Sequence, residues 1–149
     1  MSGPTHEVTN QPPPLVGHDV FGTDRALVEA VDRYSGGAAG DDRADLSAVG
    51  VVAGTSSSQD LGRVANANPP VLRTHDRYGH RLDEVEFHPA WHELMARAVG
   101  WGLHGAPWAA DAGPHAHLRR AAGFVVWSQV EAGHLCPVSM TYAAVPALA

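Results

Sequence analysis

Apolar side chains recur at helical spacing soon after residue 22. The segment TDRALVEAVDRY carries apolar residues at i, i+3, i+4 and i+7, beginning at Leu27, which is the pattern of one face of an α-helix. Thr23 stands where an N-cap is expected, because its hydroxyl can accept from an amide of the first turn. Gly36 and Gly37 follow the last apolar position, Tyr34. The pattern predicts an amphipathic helix that begins after Thr23 and ends at these glycines.

The next segments carry weaker helical patterns. Residues 35–43, SGGAAGDDR, predict a flexible connection because three of them are glycine. Residues 44–54, ADLSAVGVVAG, predict a short helix that an internal glycine weakens. A serine cluster, Ser56 to Ser58, opens a further helix, SQDLGRVANAN. This helix must stop before Pro69, because a residue that precedes proline avoids the helical conformation.

The pattern changes in VLRTHDRYGHRLDEVEF, residues 71–87. Its centre, residues 76–79, is a turn tetrapeptide that ends in glycine, and apolar residues stand on both sides of it. We expect a short β-hairpin. Pro89 then suits the first turn of a helix, in which Trp91, Leu94, Met95 and Ala98 form an apolar stripe.

The last third of the chain is predominantly apolar. We predict one long helix from about residue 113 to 135, buried on several sides because apolar residues surround it and because Glu131 is its only internal carboxylate. Pro137 is expected to end it. Residues 138–149, VSMTYAAVPALA, remain apolar to the last position, so we expect them to pack on a neighbour, either a second copy or further domains of a longer protein.

Composition and charge narrow the function classes. A length of 149 residues predicts one folded domain, residues 23–149, preceded by an extended proline-rich arm, residues 1–22. The net charge of −6 disfavours nucleic-acid binding by this chain. No apolar run reaches membrane-spanning length. Cys136 is the single cysteine, so we expect a buried thiol and a cytoplasmic protein, with no intramolecular disulfide.

Ten histidines raise the question of a metal site. His88 and His92 are four residues apart, but Pro89 stands where a metalloprotease motif requires glutamate. His88 also falls at the expected helix cap, and His75 and His80 flank the hairpin turn. We therefore expect histidines that serve the scaffold and no bound transition metal, with a small histidine-based metal protein as a third alternative. Other polar pairs, above all His134 with Glu131 or Arg120 with Glu131, are expected to be structural.

Three segments together carry a family resemblance. They are NQPPPLVGHDVFGTDRALVEAV, ANPPVLRTHDRYGHRLDEVEFHPAWHELM and QVEAGHLCPVSMTYAAVPAL. The middle one is the most specific, since a proline pair, a hairpin and the start of a helix at FHPAWH follow in that order. The chain resembles the amino-terminal part of the adaptive-response, AidB-type acyl-CoA dehydrogenase-like flavoproteins.

The resemblance implies a mainly α fold, the helical amino-terminal domain of the acyl-CoA dehydrogenase fold with one short hairpin, in a truncated chain. Intact relatives would be FAD-dependent oxidoreductases that act on acyl-CoA, usually as tetramers, and their flavin-binding β domain and catalytic glutamate would lie beyond this chain. We therefore expect no FAD site and no catalytic residue here. The substrate-pocket candidates by position are Ser139, Met140 and Thr141. The alternative is a stand-alone oligomerisation or interaction module.

Overall fold

The computed structural model describes residues 5–149, so the first four residues of the predicted arm lie outside the described part. The helices and strands follow one another along the chain as α1 Arg25–Tyr34, α2 Gly40–Ala53, α3 Ser56–Ala67, β1 Val71–His75, β2 Arg81–Glu86, α4 Pro89–Gly100, a 3₁₀ turn Ala106–Trp108, α5 Ala116–Ser128 and α6 Leu135–Leu148. The predicted class, mainly helical with one two-stranded hairpin, is confirmed.

The described part of the arm is exposed up to Gly17 and then lies against α2. The amide of Gly17 donates to the carbonyl of Gly54 (2.7 Å), and the amide of Val20 donates to that of Gly50 (3.2 Å). A Cβ on Gly54 would overlap the carbonyl oxygen of His18. Glycine at this position therefore lets the arm approach the helix, and Phe21 is buried beside it.

The first two helices begin differently from the sequence prediction. Asp24, not Thr23, caps α1, since its carboxylate accepts from the amide of Leu27, while the Thr23 hydroxyl donates to the carbonyl of Asp19. Helix α2 begins at Gly40, so the predicted flexible connection over 35–43 is wrong in its second half. Asp41 and Asp42 lie in the first turn of α2, where negative charge interacts favourably with the helix dipole.

The hairpin has the predicted position. Its antiparallel register pairs Val71 with Glu86 and Leu72 with Val85, and an irregularity interrupts it between Arg73 and His75. In the turn, Gly79 has a φ of 88°, a conformation that favours glycine. Every residue of both strands is exposed, so the hairpin projects from the helices.

Helix α4 starts as predicted, because His88 is its cap and Nδ1 of His88 accepts from the amide of Ala90 (3.1 Å). Its predicted apolar stripe is buried only in part. Leu94 and Ala98 are fully buried, whereas Trp91 is half-buried and stacks on Phe87 with ring centroids 4.1 Å apart.

The predicted long helix over 113–135 is wrong, since α5 ends at Ser128 and a turn separates it from α6, which begins at Leu135. The carboxylate of Glu131 accepts from the amides of Gly133 (2.6 Å) and His134 (2.8 Å), which forms the turn between them. Pro137 does not break a helix. It lies in the first turn of α6, where the amide that proline lacks would have no helical partner. Cys136 is exposed, so the prediction of a buried thiol is also wrong.

The centre of the core is Trp127 of α5, which is fully buried. Its indole nitrogen donates to the carbonyl of Leu94 in α4 (3.3 Å), and the ring of Trp101 meets it edge-on at 4.8 Å. The other large side chains that are fully buried include Val31, Leu46, Val126, Leu135 and Val138. Within residues 5–149, no helix has both the length and the apolar character needed to cross a membrane.

Candidate functional site

Helix α6 carries the three residues predicted from the resemblance to line a substrate pocket. Ser139 is half-buried and accepts a hydrogen bond from Nη2 of Arg120 (3.3 Å). Met140 is 68% exposed, and the Thr141 hydroxyl donates to the carbonyl of Pro137 (3.0 Å). Consecutive helical residues point about 100° apart, so the three side chains do not converge on one point. Met140 alone presents a large apolar side chain to the outside.

Helix α6 exposes apolar side chains, above all in its second half. No residue of Leu135–Leu148 is charged. Met140, Val145 and Leu148 are 68%, 41% and 87% exposed, whereas Leu135 and Val138, near the start of the helix, are buried. An exposed apolar face of this kind is typical of an interaction surface. We call Met140, Val145 and Leu148 the outer α6 surface.

Arg120 of α5 lies between two aromatic rings, a feature that the sequence pattern did not predict. Its guanidinium is 4.5 Å from the ring centroid of Phe124 and 4.2 Å from that of Tyr142. Nε of Arg120 donates to the carbonyl of Leu103 (2.9 Å). Burial lowers the pKa of Arg120, and the nearby Tyr142 acts in the opposite direction. An arginine inside the apolar helical segment HLRRAAGF was the only signal in the sequence.

Tyr142 extends this cluster outward to the 3₁₀ turn. Its phenol oxygen is 2.6 Å from Nδ1 of His117, and its main-chain carbonyl accepts from the indole of Trp108 (3.0 Å). The rings of Trp108 and His117 meet edge-on with centroids 4.8 Å apart. The cluster thus joins α5, α6 and the 3₁₀ turn through aromatic contacts and hydrogen bonds.

A cavity of about 380 Å³ lies between α2, α5 and the segment after α4. Most of its walls are apolar, and its charged residues are Asp45, Arg119 and Arg120. Arg119 donates to Asp42 (3.0 Å), so a carboxylate already neutralises it. A volume in this range suits a small ligand. The cavity could not be predicted from the sequence, because its walls come from segments far apart in the chain.

Glu131 and His134 form one of the two polar pairs predicted for Glu131. Nδ1 of His134 lies 2.9 Å from a Glu131 carboxylate oxygen, and the alternative pairing of Glu131 with Arg120 is not formed. Burial lowers the pKa of His134, even though Glu131 acts to raise it. Burial alone would raise the pKa of Glu131, but hydrogen bonds from His134 and Gly133 outweigh it and lower that pKa.

Three further histidines lie apart from one another and have separate contacts. His88 caps α4, His92 contacts the ring of Trp91, and Nδ1 of His80 is 2.9 Å from Asp76 in the hairpin turn. Over residues 5–149, no group of three or more His, Cys, Asp or Glu side chains is placed to hold a metal ion.

Sequence comparison identifies relatives over nearly the whole chain. A family model described as the adaptive response protein AidB N-terminal domain matches residues 10–149. The putative acyl-CoA dehydrogenase AidB of Escherichia coli (strain K12) is 47% identical over 148 residues. The match covers 99% of this chain but 27% of that relative, so the chain spans about a quarter of its length.

Solved structures have the same fold over about a quarter of their own length. The Caenorhabditis elegans ACDH-11 crystal structure in complex with C11-CoA has a TM-score of 0.79 and 25% identity, covering 97% of this chain and 25% of that one. The apo form of Bd2924 has a TM-score of 0.80 and 22% identity, covering 94% of this chain and 28% of that one. The predicted fold of an acyl-CoA dehydrogenase amino-terminal domain is confirmed. The chain belongs to the family of the AidB amino-terminal domain.

Proposed function

We propose that this chain supplies the amino-terminal helical domain of an FAD-dependent, acyl-CoA dehydrogenase-like oxidoreductase that belongs to the adaptive response to DNA alkylation. The observation that carries the proposal is the 47% identity along 99% of the chain to an acyl-CoA dehydrogenase-like relative of which it spans 27%. The net charge of −6 argues against a direct contact of this segment with nucleic acid. A single cysteine is compatible with the cytoplasm, which is the compartment we propose.

We propose that the outer α6 surface is the part of this chain that contacts the rest of the protein. Its apolar side chains are exposed in the domain alone, and burying each of them against a neighbour would stabilise the assembly. We propose that residues 138–149 pack on the further domains and, through them, contribute to an oligomer. Met140, with Ser139 and Thr141 beside it, would then border the acyl group of the substrate.

The described residues do not fit FAD by themselves. A flavin dinucleotide carries a pyrophosphate, and the cavity beside α5 offers it two arginines, of which Arg119 is neutralised by Asp42. Asp45 lines the same cavity and would repel a phosphate. We therefore assign the flavin to the other domains of the intact protein and derive no catalytic step through it.

A chimera tests this proposal. Residues 1–149 would replace the matched 27% of the E. coli relative, and flavin absorbance per protomer would be compared with that of the intact relative purified in parallel. We expect equal flavin content and an equal rate of acceptor reduction with acyl-CoA as donor. A soluble, folded chimera without flavin would contradict the proposal and favour a stand-alone interaction module.

A matched pair of variants in the chimera tests the pocket. Met140→Glu places a charge on α6, whereas Val71→Glu places the same charge on the exposed hairpin. We expect Met140→Glu to raise KM for acyl-CoA about tenfold or more, because a charge beside an apolar ligand loses solvation, and Val71→Glu to leave it unchanged. Equal KM values for the two variants would exclude Met140 from the acyl pocket while leaving the assignment of the domain intact.

A further inference from the structure

The cavity between α2 and α5 has the character of a small-molecule site. Its volume is about 380 Å³, and its walls include the apolar side chains Leu46, Val49, Trp101, Leu103 and Pro107. Three of these residues come from the segment after α4, and the other two come from α2. Pockets of this kind bind ligands whose bodies are apolar and whose orientation is fixed by a few polar groups.

Arg120 is the polar group best placed to fix such a ligand. It lines the cavity, and among residues 5–149 no carboxylate forms an ion pair with it. A guanidinium has five N–H donors. Two of those of Arg120 are used, one by the carbonyl of Leu103 and one by the hydroxyl of Ser139, which leaves three. The rings of Phe124 and Tyr142 lie against the guanidinium, so the remaining donors are approached most readily in its own plane.

The charges around Arg120 favour a ligand that carries a single negative charge. Arg119 lines the cavity too, but Asp42 accepts from it at 3.0 Å. Asp45 is exposed and lines the cavity, so it would repel an anion and would repel a dianion more strongly. One uncompensated guanidinium beside apolar walls matches one carboxylate attached to an apolar body, since arginine binds carboxylates through two parallel N–H bonds.

We propose that this cavity binds a small monocarboxylate with an apolar body, whose carboxylate accepts from the free N–H groups of Arg120 while its body contacts Trp101, Leu46 and Val49. The site belongs to the helical domain itself and is separate from the outer α6 surface. Because Arg120 also donates to Ser139, an occupied site would be linked to α6 through a single side chain.

Calorimetric titration of the 149-residue chain with 2-naphthoate tests the proposal, with the uncharged isostere 2-naphthamide and with inorganic phosphate as comparisons. We expect saturable one-to-one binding of 2-naphthoate, about tenfold or more weaker binding of the amide, and no measurable binding of phosphate. Amide resonances of Gly100, Gly102 and Gly123, which line the cavity, should shift on titration. Equal affinity for the acid and the amide, or binding of phosphate as tight as that of the acid, would overturn it.

Three variants distinguish a loss of ligand binding from a loss of folding. Arg120→Gln should weaken 2-naphthoate binding about tenfold or more while leaving the weak amide binding unchanged. Asp45→Asn removes an exposed repelling charge and should strengthen the binding of 2-naphthoate about two- to fivefold. Ala48→Leu adds volume to a cavity wall from an exposed helical position and should abolish binding.

Asp45 and Ala48 lie outside the core, so both variants stay informative if Arg120→Gln unfolds. Circular dichroism would establish that they fold. Undiminished binding in folded Ala48→Leu would place the ligand outside this cavity. Weaker binding in Asp45→Asn would contradict the negative charge of the ligand.

Discussion

The indole nitrogen of Trp108 donates a hydrogen bond to the main-chain carbonyl of Tyr142 (3.0 Å). In an uninterrupted helix this carbonyl would accept from the amide of residue 146, but residue 146 is proline and has no amide hydrogen. Trp108, 34 positions earlier in the chain, therefore supplies the donor that Pro146 lacks. The contact fastens α6 to the 3₁₀ turn.

This relationship predicts energetic coupling between Trp108 and Pro146. Trp108→Phe keeps an aromatic ring and removes the donor, so it should lower the free energy of unfolding by about 0.5–1.5 kcal/mol. In a Pro146→Ala background the loss should be smaller, because the alanine introduced there has an amide that can donate to the carbonyl of Tyr142. A double-mutant cycle by urea denaturation measures the coupling, and strict additivity would show that the indole hydrogen bond does not replace the missing amide.

Leu94 and Trp91 differ in burial although both belong to the predicted stripe of α4. Leu94 is fully buried, whereas Trp91 is half-buried and stacks on Phe87 near the hairpin. We expect Leu94→Ala to cost about 2–5 kcal/mol and Trp91→Ala to cost less. His75→Ala, on the exposed strand β1, serves as a control and should cost about 0.5 kcal/mol or less. A larger loss for Trp91→Ala in a denaturant titration would contradict this order.

Gly62 is needed in α3 because the turn after α5 approaches it closely. A Cβ at this position would overlap the carbonyl oxygen of Val130. Gly62→Ala should therefore destabilise the fold by about 1–3 kcal/mol, although alanine is the better helix former. Gly40→Ala is the matched control, since no atom lies within 4 Å of its added Cβ, and it should be neutral or slightly stabilising. Stabilisation by both substitutions in a denaturant titration would mean that α3 and the turn do not approach each other this closely.

His134 and Glu131 predict a loss of stability in acid. Burial lowers the pKa of His134 in the folded chain. As the pH falls to the ordinary pKa of histidine, the unfolded chain therefore takes up a proton at this residue while the folded chain does not. Stability from this group is complete above that value and falls as the pH drops toward the folded pKa, by at most about 1.4 kcal/mol per pH unit. Glu131, whose pKa is also lowered, adds a further loss as the pH falls through its own folded pKa.

The measurement is the free energy of unfolding between pH 7 and 5 for the wild type and two variants. His134→Asn keeps a side-chain donor for Glu131 and should flatten the slope over this range. His75→Asn changes an exposed histidine and should leave the slope unchanged. A slope that persists in His134→Asn would assign the acid sensitivity to another group.

The outer α6 surface predicts self-association of the isolated domain. Val145→Ser together with Leu148→Gln should lower the fraction of oligomer in sedimentation experiments, because both side chains are exposed and apolar. The control pair, Leu72→Gln with Val85→Ser, changes apolar residues of similar exposure on the hairpin and should have a smaller effect. A monomeric wild-type domain would leave no role for this surface in contacts between copies of the chain.

The local pattern of the sequence determined the elements whose signals are local. The position of the hairpin follows from the turn residues 76–79 and the apolar residues on either side, and the start of α4 follows from His88 and Pro89. Family membership also followed from sequence, because the proline pair, the hairpin and the FHPAWH helix start stand in a specific order along the chain.

Tertiary structure decided what depends on distant partners. The break between α5 and α6 is an exception, since the Glu131 carboxylate accepts amides only two and three residues further along the chain, a local signal that apolar periodicity does not show. Pro137 is compatible with either the end or the first turn of a helix, and only the turn at Glu131 selects the second. The cavity and the aromatic contacts of Arg120 join residues from four segments of the chain. Their existence depends on how the helices pack, a property that no local pattern of side chains encodes.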